Sequence, residues 1–508
     1  MTTATARRPR RRSPVDHGLP VLLARWPSVG LAIGLVRAGQ PPVFVNHGLA
    51  DVAAGTPVSE DTVFRIGSIT KTMTAIAIMQ LWERGLVDLD APANDYLRSV
   101  RLIPAHPRHR PATLRQLMTH TAGVPEVLRP LDIFKPLFGE ITPAGRPMPT
   151  VAKLYRGGLH LSAEPGTRFI YTDHGFTTLA QLVEDVSGEP FDRYLRSHVF
   201  EPLGMTHTDL VRSERVREGL ASGYVMTSRG PRAVDDYEVV TAGGGGVYST
   251  MRDMARYAAA LMGHGANEHG SVLEPASLRI MYEPHYQPDR RVPGLGLAFD
   301  RHDAGGHLVI GHGGIVPGFD SHVLVAPSDG VAVIGLTNGS VRAMLWLPAE
   351  LGRMLDRELG VAEVGLRTDV PHHPEVWPRI TGRYSLDAAL SDVRSRMMLG
   401  AGVQVTVDGG RPMLRLLHVV PSLLRGIPLH PDDDRDPYAF RIDLSQFGLA
   451  TARVVFGPDH VATDLWPYIA YRRRGPSTRQ VLGAGMLALG LAAGGASLVR
   501  RVRGGERP

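Results

Sequence analysis

The chain has 508 residues, more than a usual single domain, and its 43% hydrophobic and 21% charged content indicates two or three globular units with full cores. It contains no cysteine, so disulfides, thiol nucleophiles and cysteine metal ligands are excluded. Its formal net charge of +6 is carried by arginines in residues 1–12 and 472–508. The body between these ends is therefore acidic and lacks the basic face that nucleic-acid binding requires.

The first eighteen residues are predicted to be a basic disordered tail, because they are polar and rich in arginine and proline. The arginines near the start suggest a twin-arginine signal. However, the apolar stretch that follows is interrupted at residues 25–27, and no clean small-residue cleavage site comes after it. We instead predict two short strands, at 29–36 and 42–46, around a turn at residues 37–40.

The central region has an α+β pattern. Apolar residues between Met73 and Trp82 recur at helical spacing after Ser68, and Gly85 ends that predicted helix. Further helices are predicted at 113–120, 176–187 and 251–262, and strands at 307–311, 321–326 and 331–337. Strands at both ends with helices between them predict one antiparallel sheet, built from both ends of a domain at residues 19–365, with a helical subdomain inserted.

A second, smaller unit is predicted after this domain. Residues 366–379 are rich in proline and histidine and form a predicted linker. Short strand-like runs separated by turn residues then fill residues 380–472. This pattern predicts a small antiparallel β domain, and it contains no recognisable catalytic constellation.

Residues 473–508 form a second basic tail, which contains an uncharged stretch at 481–499. Its length is close to what a membrane helix needs, and Gly490-x-x-x-Gly494 suits close helix packing. We predict a single membrane segment here, with a Gly/Ala-rich surface tail on a cytoplasmic protein as the alternative. Arginines on both flanks leave the side of the membrane undetermined.

The chemistry centres on one of only three lysines, which stand against 53 arginines. Arginine cannot lose its proton in a protein, whereas a desolvated lysine can, so a chain this poor in lysine is expected to keep one where reactivity matters. Lys71 follows Ser68 by three residues, a spacing that lets the amine reach the hydroxyl on a helix. The pair predicts a serine nucleophile, because a plain helix cap at Ser68 would not require the lysine.

Two further motifs accompany this pair. Tyr171 lies in Tyr171-Thr172-Asp173, and a phenol held near an ammonium group can relay a proton. The segment Gly311-His312-Gly313-Gly314-Ile315 combines a strand end, a polar residue and glycines that permit close backbone approach.

With these motifs in this order, the chain resembles the serine β-lactamase and penicillin-binding-protein superfamily, specifically its class-C-like branch of esterases, D-aminopeptidases and carboxypeptidases. Ser68-x-x-Lys71 matches the family's Ser-x-x-Lys. Tyr171-Thr172-Asp173 matches its Tyr-x-Asn with the last residue changed, and His312-Gly313-Gly314 matches its Lys/His-x-Gly. The likeness spans residues 25–355, and the β domain after it resembles the lipocalin-like appendage of some members.

The resemblance implies a covalent acyl-enzyme on Ser68, with Lys71 and Tyr171 sharing the proton transfers and with no cofactor. It also implies an oxyanion site made by the backbone N–H groups of Ser68 and Ile315. The residues expected to contact the substrate are Asp173, His312, Gly313, Gly314 and Ile315.

Two departures from the family pattern bear on the substrate. His312 is mostly neutral at pH 7, so it is a weaker partner for a substrate carboxylate than the usual lysine. An ionised Asp173 only accepts hydrogen bonds and favours a charged Lys71, which shifts the base role towards Tyr171. Both changes favour esters with uncharged acyl groups over penicillins. At Asp173 the alternative is a cap for the helix that follows.

Other functions remain open at this point. Within enzymes, the alternative is a D-aminopeptidase, D,D-carboxypeptidase or β-lactamase acting on cell-wall-type peptides or β-lactams. Outside enzymes, it is a catalytically silent, membrane-tethered ligand-binding protein. A small acyl compound is the expected partner and no metal site is expected, because no histidine pair has ligand spacing. His120 is interpreted as a packing residue, and residues 243–246 as a turn into a strand near the site.

Overall fold

The computed structural model describes residues 14–386, 392–417, 426–447 and 449–473. Its largest sheet joins strands from both ends of the predicted first domain, and every neighbouring pair is antiparallel. The strand order is Asp300–Ala304, His307–Val316, Phe319–Ala326, Val331–Thr337, Gly30–Arg37, Val43–Asp51 and Thr56–Pro57. The predicted α+β architecture, with one sheet built from both ends, is confirmed.

The strand Gly30–Arg37, which comes first along the chain, is buried on both faces. Residues 30–36 of Gly30–Arg37 are all buried, which explains why this strand appears in the sequence as a continuous apolar run. One face packs against the helix Met251–Met262, whose first side chain lies over Gly34. The other face contributes Ile33 to a cluster beneath the helix Ala343–Leu359. The sheet thus lies between two helical layers.

Helices inserted between the two groups of strands form most of the remaining core. The helix Thr70–Glu83 is enclosed by protein on nearly all sides, since eleven of its residues are buried. Gly85, with a φ of 67°, follows its end. The remaining α-helices are Pro14–Arg25, Leu114–Met118, Val151–Leu154, Asp173–Ser187, Phe191–Leu195, Glu214–Arg217, Ala242–Gly245, Pro275–Tyr282, Trp377–Ile380 and Val393–Leu399.

Short paired strands brace this helical layer. The pairs are Val63–Arg65 with Tyr248–Thr250, Ile141–Pro143 with Tyr237–Val239, Leu102–Ile103 with Leu159–His160, and Tyr224–Thr227 with Gly230–Ala233. The first pair matters for the site, because Val63–Arg65 leads directly into the turn at residues 66–69, which we call the serine turn.

A nine-stranded antiparallel sheet follows and nearly closes on itself. Its order is Ile427–Pro428, Arg411–Leu417, Gly402–Asp408, Gly382–Leu386, Ala470–Arg472, His460–Thr463, Thr451–Phe456, Ala439–Asp443 and His430–Pro431. Only Leu429 separates the two edge strands along the chain, so the edges must lie close together. Buried Tyr384, Phe440 and Phe456 fill its interior, and we call this sheet the barrel.

Ion pairs join the barrel to the preceding region. Arg291 donates to Asp289 at 2.7 Å and to Asp436 of the barrel at 2.9 Å. Nε2 of His460 lies 2.9 Å from the same Asp289 carboxylate. These contacts hold one side of the barrel against the helical layer.

Among the described residues, no helix combines the length and the apolar character needed to cross a membrane. The predicted membrane segment at 481–499 lies outside the described residues. The basic segments 1–13 and 474–508 also lie outside them.

Candidate functional site

Ser68 and Lys71 lie together at the start of the buried helix. A single 3-10 turn, Gly67–Ile69, carries Ser68, and the α-helix proper begins at Thr70. Nζ of Lys71 donates to Oγ of Ser68 at 2.8 Å. The spacing argument from sequence therefore placed the amine against the hydroxyl, although the turn that carries Ser68 is tighter than an α-helix.

Lys71 uses its other two protons within the protein. One hydrogen bond goes to the backbone carbonyl of Gly244 at 2.7 Å, and a short ion pair goes to Asp173. Because an ammonium group has three donors, none remains for a substrate. The Lys71 side chain is 0% exposed, so these three partners replace water entirely.

The charge state of Lys71 follows from the same contacts. Burial alone would lower its pKa, but the negative charge of Asp173 and the nearby Tyr171 outweigh burial, and the pKa is raised. At neutral pH the amine is therefore an ammonium ion. Its role at rest is to position Ser68 and to hold positive charge, since it has no free lone pair.

Tyr171 lies over this pair. Nζ of Lys71 is 4.9 Å from the centre of its ring. Burial raises the pKa of the Tyr171 phenol, while the Lys71 charge and hydrogen bonds with Ser68 and Lys71 oppose that rise. On its other side the ring packs against His120 at 4.4 Å between centroids. His120, which the sequence suggested was a packing residue, accepts a hydrogen bond from the backbone N–H of Thr172 at 3.3 Å.

Asp173 is the first residue of the helix Asp173–Ser187, but it is not its cap. The Thr172 side chain accepts from the backbone N–H of His174 and fills the cap position. The Asp173 carboxylate is directed to Lys71 instead. Its Cβ also packs against Gly244, where an added Cβ would be 2.9 Å away, so a side chain at 244 would disturb this ion pair.

The glycine-rich strand His307–Val316 passes beside the serine turn. A Cβ at Gly67 would lie 2.9 Å from the backbone nitrogen of Ile315, and one at Gly314 would overlap the carbonyl oxygen of Ile66. Oγ of Ser321 donates to that same carbonyl at 2.8 Å. Glycine is therefore required here so that the Ile315 N–H can approach the turn that carries Ser68.

His312 is buried beside Lys71 and is neutral. Its Nδ1 lies 2.6 Å from the carbonyl oxygen of Gly313 and donates to it, which leaves Nε2 as an acceptor. Burial, followed by the Lys71 charge, lowers the pKa of His312 to about 4. Gly313 has a packing requirement of its own, because an added Cβ would lie 2.8 Å from Nδ1 of His322.

The structure adds residues that sequence reasoning did not assign to the site. In the sequence, only a run of glycines pointed to the Gly244 carbonyl, and nothing pointed to a role for Ser321 in the site. Tyr468, from the barrel, stacks on Phe169 at 4.8 Å between ring centroids. The Phe169 ring in turn lies 5.6 Å from that of His120, which packs on Tyr171, so the barrel reaches the edge of the same site. In the described part of the chain, no cluster of His, Asp and Glu has the arrangement to hold a metal ion.

Comparisons with known proteins show which chains this one is similar to. Residues 24–349 match the protein family described as Beta-lactamase. Penicillin-binding protein 4 of Amycolatopsis lactamdurans is 28% identical over 356 residues, 66% of this chain and 88% of that protein. D-alanyl-D-alanine-carboxypeptidase/endopeptidase AmpH of Escherichia coli is 29% identical over 230 residues, 45% of this chain and little more than half (56%) of that protein.

A solved structure resembles nearly the whole chain. The octameric penicillin-binding protein homologue from Pyrococcus abyssi has a TM-score of 0.58 and 22% identity, and the match covers 90% of this chain and 99% of that one. At that identity the likeness concerns the fold, which includes the barrel. The family match alone covers more than half of the sequence, and it encloses all three motifs. The chain therefore belongs to the β-lactamase family of serine hydrolases.

Proposed function

We propose that this protein is a serine hydrolase that forms a covalent acyl-enzyme on Ser68, and that it acts on esters whose acyl group is uncharged. The observation that carries the proposal is the Ser68–Lys71 hydrogen bond of 2.8 Å, made by a lysine that is wholly buried and fully bonded. Such a desolvated lysine is costly to bury unless its charge is used. The neighbouring Ile315 N–H supports an oxyanion site beside the same hydroxyl.

The proton path favours Tyr171 as the base. Lys71 is held as an ammonium ion by Asp173, so it cannot accept the Ser68 proton at rest. Burial keeps most of Tyr171 as the neutral phenol at neutral pH, so the step runs through its minor phenolate form. This phenolate, stabilised by Lys71, accepts the proton as Oγ attacks the carbonyl carbon. Tyr171 then returns the proton to the departing alcohol oxygen. In deacylation the phenolate takes a proton from water, which attacks the acyl carbon, and Ser68 recovers its hydrogen.

The charges around Ser68 support the substrate class. Binding a substrate carboxylate needs a cation with a free donor. Lys71 has none left, and His312 is neutral with its Nδ1 donor already bonded to a carbonyl. Uncharged esters need only the oxyanion donors and an apolar surface, so they are the simplest substrates for this site.

A labelling experiment tests the nucleophile. We expect a fluorophosphonate probe to label the folded protein and to fail with Ser68→Ala. Ser162→Ala, which removes an exposed hydroxyl elsewhere, should label as the wild type does. Failure to label the folded wild type would leave the non-enzymatic, ligand-binding alternative as the better reading.

A substrate panel tests the specificity. We expect short p-nitrophenyl esters to be hydrolysed with a kcat/KM at least about tenfold above that for nitrocefin or a D-alanyl-D-alanine peptide. That factor is what one charge-assisted hydrogen bond to a carboxylate, absent here, would supply. If the cephalosporin or the peptide is cleaved as readily as the ester, the alternative of a β-lactamase or D-peptidase holds instead.

A further inference from the structure

One loop near the site presents large apolar side chains to solvent. Residues 129–139, which we call the exposed loop, begin with the 3-10 helix Pro130–Phe134. Phe134 is 78% exposed and Leu131 is 75% exposed, more than any other large apolar side chain that the structure describes. Because a 3-10 helix has three residues per turn, these two side chains project from one face, while Asp132 between them is buried. An apolar pair of this kind marks a surface that binds something other than water.

The backbone of the exposed loop is held in an uncommon conformation. Leu137 and Phe138 have φ values of 43° and 56°, a region that residues with a Cβ rarely adopt. Such strain persists only where the surrounding structure holds it, and it is concentrated in functional segments. Here the loop is held by an ion pair of 2.6 Å between Nζ of Lys135 and the Asp132 carboxylate. The exposure of the two apolar side chains is therefore built into the loop.

The exposed charges of this part of the chain are all positive. Between residues 129 and 156 the two acids, Asp132 and Glu140, are both buried. The segment has five basic residues and two acidic ones, a formal net charge of +3, in a chain body that is otherwise acidic. Apolar side chains combined with lysine and arginine are typical of surfaces that bind anionic lipid. The five basic side chains, all exposed, are Arg129, Lys135, Arg146, Lys153 and Arg156.

The strand that pairs with the one after the loop brings three acids into this region. Arg65 and Arg212 both bind the Asp236 carboxylate, at 3.1 and 2.6 Å, and Nε of Arg212 lies 3.6 Å from Glu238. These two arginines balance the charges of two of the acids. The third, Asp235, precedes the paired residues and lies by the strand end that leads away from the loop. The acids of this strand therefore do not cancel the positive charge of the loop.

Both ends of the loop are fixed to elements of the candidate site. Before the loop, the Pro125 carbonyl accepts from Oγ1 of Thr172 at 3.0 Å, and Thr172 stands between the tyrosine and the aspartate that contact the buried lysine. After the loop, the Glu140 carbonyl accepts from the N–H of Val240 at 2.7 Å, four residues before Gly244. A surface bound by the exposed loop therefore lies near the reactive serine.

We propose that the exposed loop docks this protein on an anionic lipid surface, with Leu131 and Phe134 inserted among the acyl chains and Arg129 and Lys135 at the headgroups. Docking there brings Ser68 close to esters that are dissolved in the lipid. The docking is independent of the proposed function, whereas the hydrolysis of lipid-dissolved esters rests on it.

The absence of cysteine allows a direct test in the full-length chain, because Phe134→Cys can be labelled with the environment-sensitive fluorophore NBD at that position alone. We expect the NBD emission to rise and shift to shorter wavelength with phosphatidylcholine vesicles that contain phosphatidylserine, and to change less with phosphatidylcholine alone. The control is NBD on Val407→Cys, at an exposed apolar position of the barrel, where we expect no shift. The readout is local, so attraction of the basic segments 1–13 and 474–508 to the same vesicles does not produce it.

Two results of the labelling experiment would overturn the proposal. One is the absence of a shift at position 134, or an equal shift at positions 134 and 407. The other is self-quenching of the label at position 134 without vesicles, which would identify a second copy of this chain as the occupant of the loop.

Variants separate the apolar contribution from the charge. Phe134→Ser should fold, because the side chain is exposed, and should lower kcat/KM for p-nitrophenyl palmitate held in the vesicles at least about tenfold. Its kcat/KM for p-nitrophenyl acetate in water should equal that of the wild type. Arg129→Gln should raise the lipid concentration at half of the NBD shift about fivefold. The charge-matched control is Arg435→Gln, at an exposed arginine of the barrel, and it should leave that concentration unchanged.

The outcomes keep the two proposals distinct, since the NBD shift requires no turnover. Insertion at position 134 without hydrolysis of any ester would refute the proposed function and keep the docking. Hydrolysis of both esters with no shift at position 134, and with Phe134→Ser equal to the wild type, would refute the docking alone.

Discussion

The Asp173 carboxylate is the group whose removal tests most directly how protons move in this site. Asp173→Asn keeps the shape and an oxygen that accepts from Lys71, but it removes the negative charge. Coulomb's law with an effective dielectric constant of about 20 gives about 4 kcal/mol for two unit charges at about 4 Å. That energy equals about three pKa units. Because the Asp173 side chain is 13% exposed and solvent screens the pair, we expect the pKa of Lys71 to fall by less than this upper bound.

The same charge also acts on Tyr171. Burial is the main cause of its raised pKa, and Asp173 adds to it, so the phenolate fraction at neutral pH rises when Asp173 is neutralised. The phenolate of the variant is more abundant but less basic than that of the wild type. The rate of the reaction still rises, because a proton-transfer rate falls less than in proportion to the loss of basicity. We therefore expect kcat/KM for a p-nitrophenyl ester at pH 7 to rise about three- to tenfold, with the alkaline rise of the profile displaced to lower pH.

The assay is kcat/KM for that ester from pH 6 to 10, for wild type, Asp173→Asn and a charge-matched control. Glu184→Gln on the same helix removes one negative charge and keeps the oxygen that accepts from the Phe191 N–H, so its profile should equal that of the wild type. If Asp173→Asn is slower than the wild type with an unshifted profile, the reasoning is wrong. In that case Asp173 itself takes the proton, relayed from Ser68 through Lys71.

Three further predictions address the fold and charges around the site. Gly314→Ala should lower kcat/KM at least about 100-fold, because the added Cβ overlaps the backbone and moves the oxyanion donor, and a misplacement of about an ångström costs that much. The control Gly352→Ala lies on an open helix face, and it should raise the free energy of unfolding, measured in urea, by about 0.5–1 kcal/mol. Because the pKa of His312 is about 4, the pH profile of kcat/KM should show no inflection near pH 6.5 from this residue. An inflection near pH 6.5 that disappears in His312→Gln would contradict the neutrality of His312. Arg291→Ala should cost about 2–3 kcal/mol at pH 7. Burial raises the pKa of Asp289, but hydrogen bonds from Arg291 outweigh burial and hold that pKa well below its usual range. This stability is therefore fully present above about pH 4 and declines progressively as the pH falls below that value, so the difference between wild type and variant should narrow in acid.

The parts of the site that sequence predicted are those that leave a signal in residue spacing or residue type. Ser68 and Lys71 meet because three residues span one helical turn, and the structure brings Asp173 to the same lysine. The glycines at 313 and 314 were expected to permit close backbone approach, and each would clash with a neighbour if it carried a Cβ. The Ser68–Lys71 contact is local and its signal is a spacing, whereas Gly314 meets Ile66 from a distant part of the chain and its signal is the glycine itself.

The parts that sequence missed depend on long-range packing. The Gly244 carbonyl that accepts from Lys71 is a backbone atom, so no residue type encodes its role. Thr172 and Asp173 are both residue types that cap helices. Because Lys71 binds the Asp173 carboxylate, the Thr172 hydroxyl caps the helix. Tyr468 reaches the site because the barrel docks beside Phe169, and that contact joins residues about 300 positions apart.

The electrostatic balance of the whole site explains why its departures from the family pattern belong together. A lysine in place of His312 and an asparagine in place of Asp173 would leave the site with excess positive charge, suited to a substrate carboxylate. In this chain Asp173 cancels the charge of Lys71 and burial keeps His312 neutral. The same two residues therefore disfavour an anionic substrate together, which is why we propose an ester with an uncharged acyl group.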